Sequence, residues 1–247
     1  MPKADWRNAK CYQNVQSMAQ KDIAWEFLRR NDDYVAAFLA AQKHCEEKRS
    51  RLAGLWGLRD FADPSRSAQE TAVFWRHDCC SSVIILKACN LGDLGVGLSS
   101  LDLTNMLYHR RAADGADILL SHQDTVRQVF IPRASGQDEQ LCAIIPLGQM
   151  ADKRLDATYD YWRGATGRKA LAKKQQRNKN RRLPSVLRAL DGHLSGATYR
   201  EIAQSFYEAA RLETEPWRVS STRDTIIRLV RSGLVLMRSD YRKLLLT

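Results

Sequence analysis

No run of apolar residues in this 247-residue sequence approaches the ~20 that a membrane-spanning helix needs. The first seven residues, Met1 to Arg7, lead directly into polar side chains and lack the apolar core of a signal peptide. The six cysteines include no C-x2-C pair and follow no disulfide framework, which predicts reduced thiols and no zinc site. We therefore expect a cytoplasmic protein that makes no membrane contact.

Catalytic signatures are missing as well. Serines and histidines occur without a nucleophile elbow or a kinase motif set, and the glycine-rich stretch 92–97 lacks the Lys-Ser/Thr ending of a phosphate loop. Asp152, Asp156 and Asp160 share one face of a predicted helix and could hold a metal or activate water, but a solvated acidic face or a partner for basic side chains is the simpler interpretation. We predict that the chain is not an enzyme and uses no cofactor.

The charge is concentrated at one end of the chain. Residues 1–150 hold equal numbers of basic and acidic side chains, whereas residues 151–247 hold 21 Lys and Arg against 10 Asp and Glu, which accounts for the whole net charge of +11. Within the second part, residues 168–182 contain eight Lys or Arg and no acid. A neutral part joined to a strongly basic part indicates that the second part contacts a polyanion, and we favour nucleic acid.

The hydrophobic pattern predicts an α+β protein that is mostly helical, with a small antiparallel β-meander in the middle. Residues 1–80 show helical spacing and form a predicted helical N-terminal domain, and residues 81–150 form a predicted β-rich segment. Residues 151–182 read as a helix followed by a basic linker. Short apolar runs predict strands at 83–86, 118–121, 126–131 and 141–145, the last three forming the meander.

Residues 183–247 predict three helices, which we interpret as a helix-turn-helix variant with an extended turn. The first follows Pro184 and ends near Asp191-Gly192 and Ser195-Gly196; the second opens on the capping box formed by Thr198 and Glu201. The third begins near Ser220 after a connection of about ten residues, longer than the ~3–4 residues of a simple turn.

The third helix has the features of a DNA-reading helix. Ile226, Ile227 and Val230 predict its apolar face, and hydroxyl and guanidinium side chains project on the other side. Hydroxyls near a helix N-terminus can contact phosphates, and Arg can bond guanine edges in the major groove. The residues predicted to contact DNA are Lys173, Lys174, Lys179, Arg181, Arg182, Arg200, Arg218, Ser221, Thr222, Arg223, Thr225, Arg228 and Arg231.

Several segments resemble a known family. Residues 22–31 (DIAWEFLRRN), 58–64 (LRDFADP) and 198–203 (TYREIA), with 240–245 (DYRKLL), look like the two domains of FseA-type transcriptional activators. The resemblance covers residues 6–75 and 183–245, whereas residues 76–116 depart from it.

This resemblance implies control of the excision or conjugative transfer of a mobile element. It also implies a regulator-like N-terminal domain that docks on the DNA-binding domain. The QseM antiactivator, which is related to the DNA-binding domain, competes for this contact by binding the N-terminal domain. Buried aromatic anchors are typical of such surfaces, and we take Trp25, Tyr34 and Trp56 as the residues that bind the partner domain. The expected partners are promoter DNA, RNA polymerase and a small antiactivator protein.

Two other functions fit the same sequence. A DNA recombination or excision accessory protein would also be basic, although the tyrosines show no recombinase-type set of Arg and His around them. An antiactivator that acts by protein contact alone should have a neutral or acidic C-terminal domain, which the excess of +11 disfavours.

Overall fold

The computed structural model of the protein describes residues 5–89, 105–122, 125–133, 140–168, 180–208 and 216–246. Helices and one mixed five-stranded sheet make it an α+β protein, which confirms the predicted fold class. Its residues group by their internal contacts into two compact units. The first unit comprises the described residues of Met1–Ala36, Asp63–Ala68 and Ala172–Tyr241, and the second those of Ala37–Ala62, Gln69–Leu171 and Arg242–Thr247.

The elements follow one another along the chain in three groups. The N-terminal group is a 3-10 helix at Ala9–Ser17, α1 at Gln20–Leu28, α2 at Asp32–Ala41 and α3 at Glu46–Gly54. The middle group is β1 at Ile84–Cys89, β2 at Met106–Ala112, β3 at Gly115–His122, β4 at Thr125–Pro132, β5 at Gln140–Ala143 and α4 at Ala151–Ala165. The C-terminal group is α5 at Leu183–Leu194, α6 at Tyr199–Phe206, a 3-10 turn at Trp217–Val219, α7 at Ser221–Val235, a π-helical turn at Leu236–Asp240 and α8 at Tyr241–Leu244.

The contact-based units cut across the ranges predicted from sequence. Residues 1–36 belong to the same unit as α5, α6 and α7, and the last residues of the chain belong with the sheet. The four ranges 1–80, 81–150, 151–182 and 183–247 were proposed as separately organised regions. They stay a prediction, because contacts within a folded chain do not show which parts fold alone.

The sheet has the strand order β2-β3-β4-β1-β5. Strands β2, β3 and β4 form an antiparallel meander, β1 lies parallel to β4, and β5 is antiparallel to β1. The meander was predicted from residues 118–121, 126–131 and 141–145, and this composition is wrong in its last strand. The reason is that Ile84, Ile85 and Leu86 are all buried, so that β1 takes an interior position and β5 pairs with it.

The strand β2 was not predicted from the sequence. Met106, Leu107 and Tyr108 are all exposed, so the strand has no alternation of buried and exposed side chains. It pairs with β3 and shows a register shift between Met106 and Tyr108. A strand whose side chains mostly face solvent leaves no periodic signal in the sequence.

The two faces of the sheet are packed by different kinds of side chain. On one face, apolar side chains including Ile84, Ile118 and Val129 form a cluster against which Ala157 and Tyr161 of α4 pack. On the other face, the Phe130 ring stacks on His77 with 4.6 Å between ring centroids, and the Arg59 guanidinium lies 4.8 Å from the Phe130 centroid. Because alternate residues of a strand point to opposite faces, Val129 and Phe130 of β4 contribute to the two different faces.

A buried polar network joins this second face to the loop before the sheet. The Gln128 side chain accepts from Trp75 N at 3.0 Å and donates to Trp75 O at 2.8 Å and to Asp117 Oδ1 at 3.2 Å. Arg59 Nε donates to Asp117 Oδ2 at 2.8 Å. Burial raises the pKa of Asp117, and the bond from Arg59 opposes that shift.

Two observations concern membrane-spanning helices and metal sites. None of the helices in the six described ranges is both long and apolar enough to cross a bilayer. Within the same ranges, no three or more His, Cys, Asp or Glu side chains come together as a potential metal site. The described cysteines Cys11, Cys45, Cys79, Cys80 and Cys142 form no disulfide.

Gly115, at the turn between β2 and β3, provides a test of this fold. Its φ is +149°, and a Cβ atom there would lie 2.2 Å from the carbonyl oxygen of Ile131. We expect Gly115→Ala to lower the free energy of unfolding by about 1–3 kcal/mol, because the turn would have to shift. Urea denaturation measures the change. Gly148→Ala is the matched control, since a Cβ at Gly148 meets nothing within 4 Å; equal effects of the two substitutions would contradict the turn geometry.

Candidate nucleic-acid interface

The helix α5 begins as the sequence predicts and ends later. Pro184 lies in its first turn, and the helix continues to Leu194, where Gly196 follows with a φ of +84°. The prediction that Asp191 and Gly192 help to end the helix is wrong, because both lie inside it. Gly192 is needed there for close packing: a Cβ would lie 2.9 Å from Ile202 Cγ1 of α6.

The predicted capping box at the start of α6 is confirmed in both halves. Glu201 N donates to Thr198 Oγ1 at 3.3 Å, and Thr198 N donates to Glu201 Oε2 at 2.7 Å. These bonds satisfy backbone donors that the helix itself leaves unpaired. Ile202 and Ala203 of this helix are buried as predicted.

The helix α7 begins at the predicted serines. Ser220 is its N-cap, and its Oγ accepts from Arg223 N at 3.1 Å. Ile226 and Val230 are buried as predicted, but the third apolar contact is made by Leu229, while Ile227 is only half-buried. Helices α5, α6 and α7 pack against one another, and Gly233 of α7 would place a Cβ 2.8 Å from Leu190 Cβ.

The outward face of α7 forms a shallow groove of polar side chains. Arg228 is held along the helix, because its Nη2 donates to Thr225 Oγ1 at 3.2 Å and its Nε to Asp224 O at 3.3 Å. Thr225 in turn donates to Ser221 O at 2.9 Å. The groove is lined by Ser221, Asp224, Thr225, Ile227, Arg228 and Arg231.

This face combines exposed guanidinium groups with hydroxyls near a helix N-terminus, the combination that contacts bases and phosphates. This face also contains one acid, Asp224. The Arg223 guanidinium lies 3.5 Å from Asp224 and offsets part of the negative charge of that carboxylate. Arg228 and Arg231 are both exposed and remain available to a ligand.

The structure places the other predicted DNA contacts as follows. Arg181, Arg182, Arg200 and Arg218 are exposed. Thr222 is only 8% exposed, so its hydroxyl is less accessible than those of the groove. Lys173, Lys174 and Lys179 lie outside the described residues. All of these assignments stay predictions.

Behind the groove, α5 carries a buried arginine that binds the N-terminal segment. Arg188 Nε donates to Trp6 O at 2.7 Å, and its Nη2 donates to Arg7 O at 2.9 Å and Ser205 O at 2.6 Å. Its guanidinium also lies 4.3 Å from the Phe206 ring centroid. A single side chain of α5 therefore joins the start of the chain to the end of α6.

A second buried residue of α5, Asp191, binds the same segment through charge. Arg30 donates to it twice, with Nε–Oδ1 at 2.6 Å and Nη2–Oδ2 at 2.9 Å, and the Tyr12 hydroxyl donates to Oδ2 at 2.6 Å. Arg30 Nη1 also donates to Glu26 Oε2 at 2.8 Å. Burial and the neighbouring Asp191 raise the pKa of Tyr12, so the hydroxyl keeps the proton that it donates.

The charges in this network stabilise each other's ionised forms. Burial by itself would lower the pKa of Arg30, but its bonds to Asp191 and Glu26 raise it overall. Burial would likewise raise the pKa of Glu26, and the guanidinium groups of Arg30 and Arg29 lower it. Both shifts favour the ionised forms of Arg30 and Glu26, and the hydrogen bonds of the network satisfy their polar atoms.

Sequence reasoning missed Arg30, Arg188 and Asp191. A signal was present: Asp191 follows Leu187 by four residues and therefore lies on the apolar face of its helix. A charged residue on an apolar face requires a buried partner. The sequence does not identify that partner, which lies 161 residues away at Arg30.

The three aromatic residues predicted to bind a partner domain lie in different surroundings. Trp25 and Tyr34 are fully buried in the first unit, where their rings meet edge to face at 5.5 Å. Trp25 Nε1 also donates to Arg66 O at 3.2 Å. Trp56 is half-buried in the second unit. Their role in partner binding stays a prediction.

Comparison with known proteins gives two domain matches. A family model described as a T6SS transcription factor DNA-binding domain matches residues 144–246, which include α5, α6 and α7. A second model, described as a proteobacterial transcriptional regulator-like domain, matches residues 5–59. No curated protein matches the chain. The two domain matches make this chain a DNA-binding transcriptional regulator.

The contribution of the Arg30–Asp191 pair to stability can be tested by substitution. We expect Arg30→Met to lower the free energy of unfolding by about 3–5 kcal/mol, because it leaves the Asp191 charge buried without its main partner. Adding Asp191→Leu should recover much of that loss. The control is Arg66→Met, whose exposed partner Asp63 lies 3.9 Å away and which should cost at most about 1 kcal/mol.

Urea denaturation of the full chain gives the free energy of unfolding of the wild type and of these three variants. A loss for Arg30→Met no larger than that for the control would contradict the role of the buried pair.

Proposed function

We propose that this regulator activates transcription, and that its targets are genes for the excision or conjugative transfer of a mobile element. The observation that carries the DNA-binding part is the exposed groove of α7, with Arg228 and Arg231 beside two hydroxyls, in the region that holds the entire charge excess of +11. The resemblance of residues 6–75 and 183–245 to FseA-type activators supports the direction of regulation and the class of target.

In this proposal α6 and α7 form the helix-turn-helix pair. The helix α7 enters the major groove, where Arg228 and Arg231 bond guanine edges and Ser221 and Thr225 contact phosphates near the helix N-terminus. Phosphate contacts position the protein without reading the sequence. They are assigned to Arg181, Arg182, Arg200, Arg218 and Arg223, together with Lys173, Lys174 and Lys179.

The N-terminal segment gives the regulator a means of control. Tyr12 and Arg30 bind Asp191, and the backbone of Trp6 binds Arg188, all through α5. A separate protein that presents an equivalent acid and arginine on a helix would compete for these groups. This is how we propose that a small antiactivator acts on the chain in the cytoplasm, with RNA polymerase as the partner of the active form.

The matched DNA-binding domain suggests a second set of targets. Its description refers to type VI secretion, so genes of such a system are the alternative to excision and transfer genes. An accessory role in recombination would also require DNA binding but would leave transcript levels unchanged.

Substitutions on α7 test the assignment of base contacts. We expect Arg228→Ala or Arg231→Ala to weaken binding to the cognate duplex by about 1–3 kcal/mol and to relax sequence preference, because a bidentate base contact is lost. Arg238→Ala removes the same charge from an exposed site outside the groove and is the control. Lys173→Ala or Lys174→Ala should weaken binding to all sequences alike and reduce the salt slope by about 1.

Titrations of cognate and scrambled duplexes at several salt concentrations separate these effects. If the α7 substitutions left specificity intact while the lysine substitutions abolished it, the two roles would be reversed.

Genome-wide occupancy in the native host, combined with transcript levels with and without the protein, tests the regulatory role. We expect occupied promoters upstream of excision or transfer genes, with transcripts that fall when the protein is deleted. Transcripts that rise on deletion would contradict activation. Occupancy upstream of type VI secretion genes alone would replace the mobile-element target, and occupancy without any transcript change would favour recombination.

A further inference from the structure

The helix α4 has two apolar faces, and the sheet covers one of them. Ala157 and Tyr161 pack on the apolar cluster of the sheet. Leu155, Tyr159 and Trp162 occur at spacings of four and three residues, so they form a stripe on the other side of the helix. Their exposed fractions are 54%, 47% and 37%. Among the residues that the structure describes, the sheet cluster packs on the opposite side of α4 and leaves this stripe exposed.

The two aromatic rings of the stripe contact each other and two neighbouring arginines. The rings of Tyr159 and Trp162 stack with 5.7 Å between centroids and 25° between planes. The guanidinium of Arg163 lies 5.7 Å from the Tyr159 centroid, and that of Arg168 lies 4.3 Å from the Trp162 centroid. Aromatic and Arg side chains are the types enriched at the centres of protein interfaces, and an ordered set costs less entropy to dock.

The charges beside the stripe identify the kind of partner. At ~100° per residue, Asp152, Asp156 and Arg163 flank the stripe on the same side, with the acids toward the N-terminal end of the helix and the arginine toward the C-terminal end. The acids disfavour a phosphate backbone along the length of α4. A helix with the same sequence, running antiparallel, complements this order because its arginine meets the acids.

Two-fold symmetry satisfies both ends at once. A two-fold axis perpendicular to the plane that contains two antiparallel helices exchanges the helices. It leaves the charged flanks of both copies on the same side of that plane. With the axis near Tyr159, Arg163 of each copy lies level with residues 155 and 156 of the other. Asp156 and Arg163 then form two equivalent ion pairs, which fix the orientation as flanking charges do in coiled coils.

We propose that the stripe of Leu155, Tyr159 and Trp162 is a self-association surface, on which a second copy of this chain docks with its α4 antiparallel. The proposal rests on α4 alone and does not depend on DNA binding. One helix of 15 residues offers less than the ~800 Å² per partner of a standard interface. The dimer is therefore reversible and concentration-dependent.

Sedimentation of the full chain, across about a hundredfold range of concentration, tests the surface. The wild type shifts from monomer to dimer, and Leu155→Ala with Trp162→Ala weakens the dimer at least about tenfold, since the centre of the contact is lost. Leu55→Ala, at another exposed leucine, leaves the dissociation constant unchanged. A wild type that stays monomeric at every concentration overturns the proposal, as does a double variant that dimerises like the wild type.

Complementary charge reversals test the orientation. Asp156→Arg alone and Arg163→Asp alone each place like charges together and stay monomeric. An equimolar mixture of these two variants forms a heterodimer, because both ion pairs are restored between the unlike chains. Glu208→Arg, which reverses an exposed acid elsewhere, dimerises as the wild type does. Self-association of the single variants at wild-type strength, or a mixture that stays monomeric, overturns the antiparallel arrangement.

Discussion

Arg30 and Asp191 lie 161 residues apart in sequence and meet in a buried, doubly hydrogen-bonded ion pair. An ion pair taken out of water stabilises a fold only if its geometry is good and its remaining hydrogen-bonding groups are satisfied. Tyr12 and Glu26 supply those further bonds. Because each charge is costly to bury alone, the pair forces the N-terminal segment and α5 into one arrangement, and the first unit depends on it.

The same helix that holds this pair also supports the face assigned to DNA. Leu190 of α5 touches α7 at Gly233, and Gly192 of α5 lets α6 approach through Ile202. Residues on the buried side of α5 therefore fix where the groove of α7 lies. A change in how the N-terminal segment binds Arg188 and Asp191 would be transmitted to the groove through direct packing, which gives the proposed control a physical route.

Local features of this structure could be predicted from the sequence, and pairing partners could not. The capping box of Thr198 and Glu201, the N-cap at Ser220 and the buried strand at residues 84–86 are encoded by neighbouring residues, and each was found. The position of β1 between β4 and β5 depends on contacts far apart in sequence, and the exposed strand β2 has no periodicity to detect. For the candidate site, the exposed arginines of α7 followed from helical spacing, whereas the buried network behind them required knowledge of which distant charges meet.

Hydrogen–deuterium exchange of the full chain, with and without a promoter duplex that the protein occupies, tests whether α7 faces the DNA while the N-terminal segment stays on α5. We expect amides at 221–231 to exchange more slowly in the complex, because α7 lies against the DNA. Amides at 9–28 should be unchanged, because that segment stays packed on α5. Slower exchange at 9–28, with no change at 221–231, would contradict this arrangement.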